Sequence, residues 1–174
     1  MPDGVSESAV VVRVPVPPAV ERLRRRWDWA AQWGVPAHVT VLYPFMPAGD
    51  LDASVRRSLA GIAAEHRPFD VRFDRVGRFP TAVYLAPDPP EPFNRLTEAI
   101  HSRFPDYPPY EGAFEVVIPH LTVAESIEAP LDEVATVAET ALPFSYHVTR
   151  LEVLVQGPDD RWLTRWRLRL GREL

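Results

Sequence analysis

Three His-x-Thr tripeptides stand out in the chain: His38-Val39-Thr40, His120-Leu121-Thr122 and His147-Val148-Thr149. Random placement of its 5 His and 8 Thr among 174 residues would give about 0.2 such tripeptides. The first two share a context. Each follows a proline by one or two residues (Pro36, Pro119), and each opens an apolar run that reads as a strand. Residues i and i+2 of a strand point to the same face. Each copy therefore sets an imidazole beside a hydroxyl, aimed the same way. Two such pairs facing one another would combine two groups that move protons near neutrality with two hydroxyls able to hold an oxyanion. That is the equipment for cleaving a phosphodiester without a metal. The third copy is followed by Arg150 rather than an apolar residue, and it lies inside a long strand-like run.

The elements that must position these residues can be read in order. Ala9 to Val16 is strand-like and ends at Pro17-Pro18. Val20, Leu23 and Trp27 recur at helical spacing, with Arg22, Arg24, Arg25 and Arg26 mostly opposite. His38 to Phe45 is a strand. Leu51, Val55, Leu59 and Ile62 mark a helix with Asp50 as the expected N-cap. Phe69, Val71 and Phe73 alternate with Asp70, Arg72 and Asp74 as a half-buried strand, and Thr81 to Ala86 is another. Phe93, Leu96, Ile100 and Phe104 form the next helical stripe. Phe114 to Ile118 leads into the strand His120 to Ala124. Leu131, Val134, Val137 and Ala141 form a helix. Phe144 to Gln156 is expected as one long strand, Gly157 to Asp160 as a turn, and Arg161 to Leu170 as the closing strand.

The halves agree in order: His-x-Thr strand, helix, strand, strand. This reads as an internal duplication. The first repeat covers about 38–87 and the second about 120–170, and 9–29 and 92–118 complete the lobes. His38 and His120 occupy matching places; His147 falls where Phe69 to Phe73 falls and has no twin. Val39 and Val41 point away from His38 and Thr40, so one sheet face needs helical cover while the other faces a groove. The expected fold is α+β: a single bilobal domain over 1–174, two pseudo-symmetric lobes, each an antiparallel sheet covered by helices, with a central cleft.

Composition narrows the function classes. With 46% apolar residues the chain can bury a core. A net charge of −5 argues against a general nucleic-acid coat and leaves room for a small anionic substrate held by a local basic patch. There are no cysteines, which excludes disulfides and zinc-thiolate sites. The polar start, Met1 to Ser8, has no apolar core, so no signal peptide is expected. No stretch approaches the ~20 apolar residues of a membrane span. A cytoplasmic protein is the expectation, and a monomer with no obligate protein partner. No carboxylate stands at a telling spacing from the histidines, so neither metal nor other cofactor is expected.

On the residues His38-Val39-Thr40-Val41 and His120-Leu121-Thr122-Val123, in a duplicated frame spanning nearly the whole chain, the sequence resembles the 2H phosphoesterase superfamily in its 2′-5′ RNA ligase-like, cyclic phosphodiesterase branch. The resemblance implies two pseudo-symmetric lobes and metal-free hydrolysis or transfer at 2′,3′-cyclic phosphates or 2′-5′ linkages. It matches His38 and His120 to the catalytic histidines, and Thr40 and Thr122 to the phosphate-binding hydroxyls. The expected partner is a small cyclic nucleotide or an RNA terminus. The same site run backwards would join RNA ends by a 2′-5′ bond. The rival reading is a binding module on the same fold that holds RNA ends or nucleotides without turnover.

Other residues carry weaker signals. Arg165 and Arg167, with Arg169, lie opposite Trp162, Trp166, Leu168 and Leu170, and could guide phosphates if they face the cleft; a solvated face is the plainer reading. Arg72 is the analogous residue of the first lobe. Tyr84 could stack on a base or fill the core. His66 is expected at a helix C-terminus, His101 on a helix surface, and His147 in a structural or solvent-exposed place.

Overall fold

The computed structural model describes residues 5–172; Met1 to Gly4 of the polar start and the last two residues lie outside them. Strand β1 (Ser8–Arg13) is buried on both faces, which explains its unbroken apolar run. Val10 and Val12 enter the main core, and Ala9 and Val11 a smaller cluster on the other side of the sheet. Helices α1 (Pro18–Trp27) and α2 (Trp29–Gln32) follow, then β2 (His38–Leu42), α3 (Ala53–Glu65), β3 (Phe69–Phe79), β4 (Ala82–Asp88) and α4 (Glu91–Arg103). The chain continues through β5 (Leu121–Glu125), α5 (Leu131–Thr140), β6 (Phe144–Val148), β7 (Arg150–Gln156) and β8 (Trp162–Arg169). Single turns of 3₁₀ helix lie at Ala48–Asp50 and Pro109–Gly112.

The eight strands form one antiparallel sheet in the order β6-β3-β4-β5-β2-β1-β7-β8. The two four-stranded halves meet along β2 and β5, where Val39 pairs with Leu121. Both side chains are fully buried on the helix-covered face, with Val41 and Val123 beside them. Each such aliphatic group contributes about 1.5–3 kcal/mol when fully buried. The helices cross over: α1 packs on β5, α4 on β2, α3 on β8 and α5 on β3 to β5. The Thr97 hydroxyl of α4 donates to the Val41 carbonyl at 2.7 Å, fixing helix to strand.

Several local expectations change. The long strand Phe144 to Gln156 breaks at Thr149. β6 pairs with β3 at one edge, while β7 pairs with β1 and β8 in the other half. Continuous β-propensity hides such a break, because the chain changes neighbours without changing conformation. A bulge between the Val153–Trp166 and Leu154–Thr164 pairs shifts the phase of β8. Trp162 therefore leaves the face of Trp166 and Leu168 and joins the side of Ala9 and Val11. The cap of α3 is Asp52, whose Oδ1 accepts from Val55 N at 2.9 Å, rather than Asp50. Arg24 turns inward and is 1% exposed. His66 ends α3 with Nδ1 at 2.8 Å from the Ile62 carbonyl, as expected of a C-terminal histidine.

In β3, Gly77 lies under the Tyr84 ring: a Cβ there would sit 2.2 Å from a ring carbon. Gly77→Ala is expected to cost about 1–3 kcal/mol through overpacking. Gly61→Ala, in open space on α3, is expected to be stabilising by about 0.4–1 kcal/mol. Urea denaturation of both variants checks the pair; equal effects would contradict the Gly77 contact.

Candidate active site

An antiparallel pair centred on Val39 and Leu121 sets His38 toward Thr122 and Thr40 toward His120. Because Val39 and Leu121 take the core face, all four polar side chains take the other. They line one cavity of about 600 Å³ together with Ala9, Val11 and Leu154, a size suited to a small organic ligand.

The two imidazoles are held alike. His38 Nδ1 lies 2.7 Å from the Pro36 carbonyl, and His120 Nδ1 lies 2.7 Å from the Ile118 carbonyl. A carbonyl only accepts, so Nδ1 carries the proton and donates. Nε2 is left as the nitrogen that can work on a ligand. The prolines before each motif thus sit in the turn that supplies the acceptor. Burial pushes the His38 pKa down to about 4, aided by the positive Arg24 and His120 and opposed by the Pro36 carbonyl. His38 is therefore neutral near pH 7, with a lone pair on Nε2.

Beneath the cavity Asp28 is 2% exposed. Its Oδ1 accepts from Ala30 N at 3.1 Å and its Oδ2 lies 3.4 Å from Arg24 Nη2. Burial raises its pKa to about 6, against the pull of Arg24. Arg24 also donates to the Val35 carbonyl at 2.9 Å. Among the described residues, no group of three or more His, Cys, Asp or Glu is placed to hold a metal ion.

The walls are aromatic: Trp29, Tyr43, Phe79, Tyr110, Phe114 and Trp162. Tyr110 and Glu111 both adopt left-handed backbone, φ 50° and 56°, a conformation that costs non-glycine residues about 1–3 kcal/mol each. The strain is held by Tyr110 N donating to the Tyr43 carbonyl at 2.7 Å, and it brings the Tyr110 hydroxyl into hydrogen bonding with Thr40. Sequence reading missed Tyr110 because Pro105 to Pro109 marks only a loop. It missed Asp28 because a single acid between two tryptophan-bearing helices has no pattern.

Of the weaker candidates, none lines the cavity. Tyr84 is half-buried, stacks on Phe79 at 4.4 Å and meets the His120 ring edge-on at 5.6 Å; it supports that imidazole from behind. Arg72 pairs with Asp74 at 3.4 Å near the β3–β6 edge. Arg165 stands at the β8 bulge, and Arg167 pairs with Glu152 at 3.5 Å. His147 is largely exposed on β6 and bonds Asp70 at 2.7 Å.

Comparison with known proteins agrees with this architecture. A family model described as the 2′-5′ RNA ligase superfamily matches residues 12–160. A candidate phosphoesterase of Geobacillus kaustophilus is 27% identical over 134 residues, 74% of this chain and 75% of that one. One from Bacillus thuringiensis is 26% identical over 157 residues, covering 86% and 87%. Among solved structures, TT0787 of Thermus thermophilus superposes with TM-score 0.58 at 17% identity, over 96% of this chain and 100% of that one. Escherichia coli LigT with bound NADP+ gives TM-score 0.54 at 18% identity, over 96% and 98%.

The half-buried His38 and the buried Asp28 make opposite contributions to acid stability. Between pH 6.5 and about 4 the unfolded chain binds a proton at His38 that the folded chain refuses, so stability falls as pH drops. Between pH 3.8 and about 6 the folded chain holds a proton on Asp28 that the unfolded chain releases, so stability rises as pH drops. Asp28→Asn is expected to steepen the loss of the urea midpoint from pH 6.5 to 4.5, and His38→Asn to flatten it. Identical slopes in parent and variants would refute the assignment.

Proposed function

The chain belongs to the 2′-5′ RNA ligase superfamily, and from that premise we propose that it is a metal-independent phosphoesterase acting on a 2′,3′-cyclic phosphate or a 2′-5′ phosphodiester of RNA or a nucleotide. The observation that carries the reading is the pair of imidazoles with Nδ1 tied to backbone carbonyls, lining one cavity with Thr40 and Thr122. His38, neutral because it is buried, takes a proton from water on Nε2. The water oxygen bonds to phosphorus as the bond to the sugar oxygen breaks. His120, as the imidazolium, gives its Nε2 proton to that leaving oxygen. Thr40 and Thr122 donate to the non-bridging oxygens, where fixed donors stabilise the charge that develops. Tyr110 orients the Thr40 hydroxyl. A 5′-hydroxyl in place of water, giving its proton to His38 and bonding to phosphorus as the 3′-oxygen leaves with the proton from His120, would make a 2′-5′ bond. LigT has been crystallised with 3′-AMP and with ATP, which supports a nucleotide in the equivalent cavity here.

The test is a screen of 2′,3′-cyclic nucleotides, cyclic-ended RNA and 2′-5′ dinucleotides in EDTA, followed by phosphorus NMR. Turnover should persist in EDTA, and the rising limb of kcat/KM should have its midpoint near pH 4, the His38 value. A requirement for added divalent metal, or a rising limb above pH 6, would count against the mechanism. Binding without turnover would leave the non-catalytic module.

Replacing His38 or His120 by Ala should lower kcat by about 10²–10⁴-fold, and Thr40→Val or Thr122→Val by about 10–1000-fold. His147→Ala should keep activity within about tenfold, since loss of its exposed contact to Asp70 removes at most uniform binding. A His147 effect on kcat equal to that of His38, in a folded variant, would mean the wrong histidines were paired.

A further inference from the structure

A bulge aims Glu125 into the cavity. Along β5, Thr122 lines the cavity, so strict alternation would give the same face to Ala124 and the core face to Glu125. Instead the β4–β5 pairing shifts: Tyr84 pairs with Thr122, but Val83 pairs with Ala124. Val123 and Ala124 are both fully buried in the main core, and Glu125 lines the cavity. Such a bulge re-aims one side chain beside a site. Glu125 pairs with Ala82, and Ala82 with Phe79. Directly paired residues point the same way, so Phe79, Ala82 and Glu125 form a row across β3, β4 and β5, and each lines the cavity. Two strand spacings of ~4.8 Å set Phe79 and Glu125 about 10 Å apart, with the small Ala82 as the floor between them.

This slot begins beside the histidines. Phe79 meets the His120 ring edge-on at 5.1 Å and is held by stacking on Tyr84 at 4.4 Å. Glu125 lies three strand residues beyond Thr122, at most about 10 Å, the reach of a nucleoside from its cyclic phosphate to the far edge of its base. Glu125 is exposed, and no hydrogen bond or ion pair ties its side chain to another of the described residues. Burial raises the pKa values of Asp28 and Tyr110, and the charge of Glu125 adds to both shifts, which places it near them. Asp28, by contrast, has its oxygens engaged by Ala30 N and Arg24. With no arginine among the residues lining the cavity, the Glu125 carboxylate has no fixed cation to meet there.

An ionised carboxylate only accepts hydrogen bonds, through two oxygens side by side. Two adjacent N–H donors match it, the pattern that makes carboxylate–guanidinium pairs bidentate. Of the four RNA bases, guanine alone presents that pattern on its Watson–Crick edge, from N1 and the 2-amino group. Adenine and cytosine set an amino donor beside a ring-nitrogen acceptor, and uracil flanks its single N–H with two carbonyls. Aromatic side chains supply the surface against which a base stacks. Resting on the phosphoesterase reading, we propose that Glu125 is a specificity-determining residue that accepts from N1–H and the 2-amino group of guanine, so that the preferred substrate carries its cyclic phosphate on a guanosine. The guanine lies over Ala82 against Phe79, with the phosphate at the histidines.

The experiment measures kcat/KM in EDTA for the 2′,3′-cyclic phosphates of guanosine, inosine, adenosine, cytidine and uridine. Guanosine should exceed adenosine, cytidine and uridine by about tenfold or more, the discrimination of one bidentate pair. Inosine keeps N1–H but lacks the 2-amino group, and should fall about tenfold below guanosine for one lost charge-assisted bond. E125Q offers one acceptor and one donor, which fits the adenine edge, and should raise the adenosine-to-guanosine ratio by about tenfold or more. Equal values for all bases, or a base other than guanine preferred, would overturn the proposal without recourse to the variant. A rise for every base alike in E125Q would also overturn it, because the carboxylate would then only repel phosphate. If no cyclic phosphate is hydrolysed, that part of the phosphoesterase reading falls, and binding of 3′-GMP against 3′-AMP still decides the base. It is read by the fluorescence of Trp29 and Trp162 in the cavity wall. Tighter binding of 3′-GMP, lost in E125Q, supports the proposal; equal affinities or no binding overturn it.

Discussion

The pairing of two short strands at Val39 and Leu121 governs everything else in this molecule. It is one register point between two halves of a sheet. A slip by one residue would turn both histidines into the helix-covered core and both valines into the cleft. The register is held from the far side: Val39, Val41, Leu121 and Val123 are packed against helices, and α1 and α4 each lie on the strand of the opposite half. The hydrophobic core thereby sets the positions of four polar side chains it never touches.

The cavity sets one neutral imidazole above a buried ion pair. Burial keeps His38 neutral and leaves Asp28 titrating near pH 6. Arg24 partly balances Asp28 from within the same buried pair. Aromatic rings wall the cavity that holds these groups. The cost is borne by backbone geometry, in the left-handed Tyr110–Glu111 step that carries an aromatic wall across the opening.

The sequence disclosed the parts of this arrangement that depend on period and repetition. His38, Thr40, His120 and Thr122 were legible because alternation fixes side-chain direction, and a repeated frame picks two copies out of three. The α+β layering was legible from apolar stripes. What escaped depends on single residues that change phase or neighbour. The bulge that moves Trp162 into the cleft carries no composition signal. Thr149 divides a continuous β-favouring run between opposite halves of the sheet. Asp28 and Tyr110 reach the cavity through contacts that span the fold. Tyr84 carried two readings, base stacking and core filling; it pairs with Thr122 in the sheet, and the missing Cβ of Gly77 gives its ring room beside His120.

The break at Thr149 carries a consequence for how such a fold can be assembled. From β1 and again from β4 the chain runs strand, helix, His-x-Thr strand, helix, strand. Yet β3 leaves the first run to sit beside β4, and β7, which follows the second run, sits beside β1. Neither run closes a sheet with its own strands. Cut between β3 and β4, the chain would leave β1 without its neighbour β7 and β4 without its neighbour β3, so neither fragment could complete its half of the sheet alone.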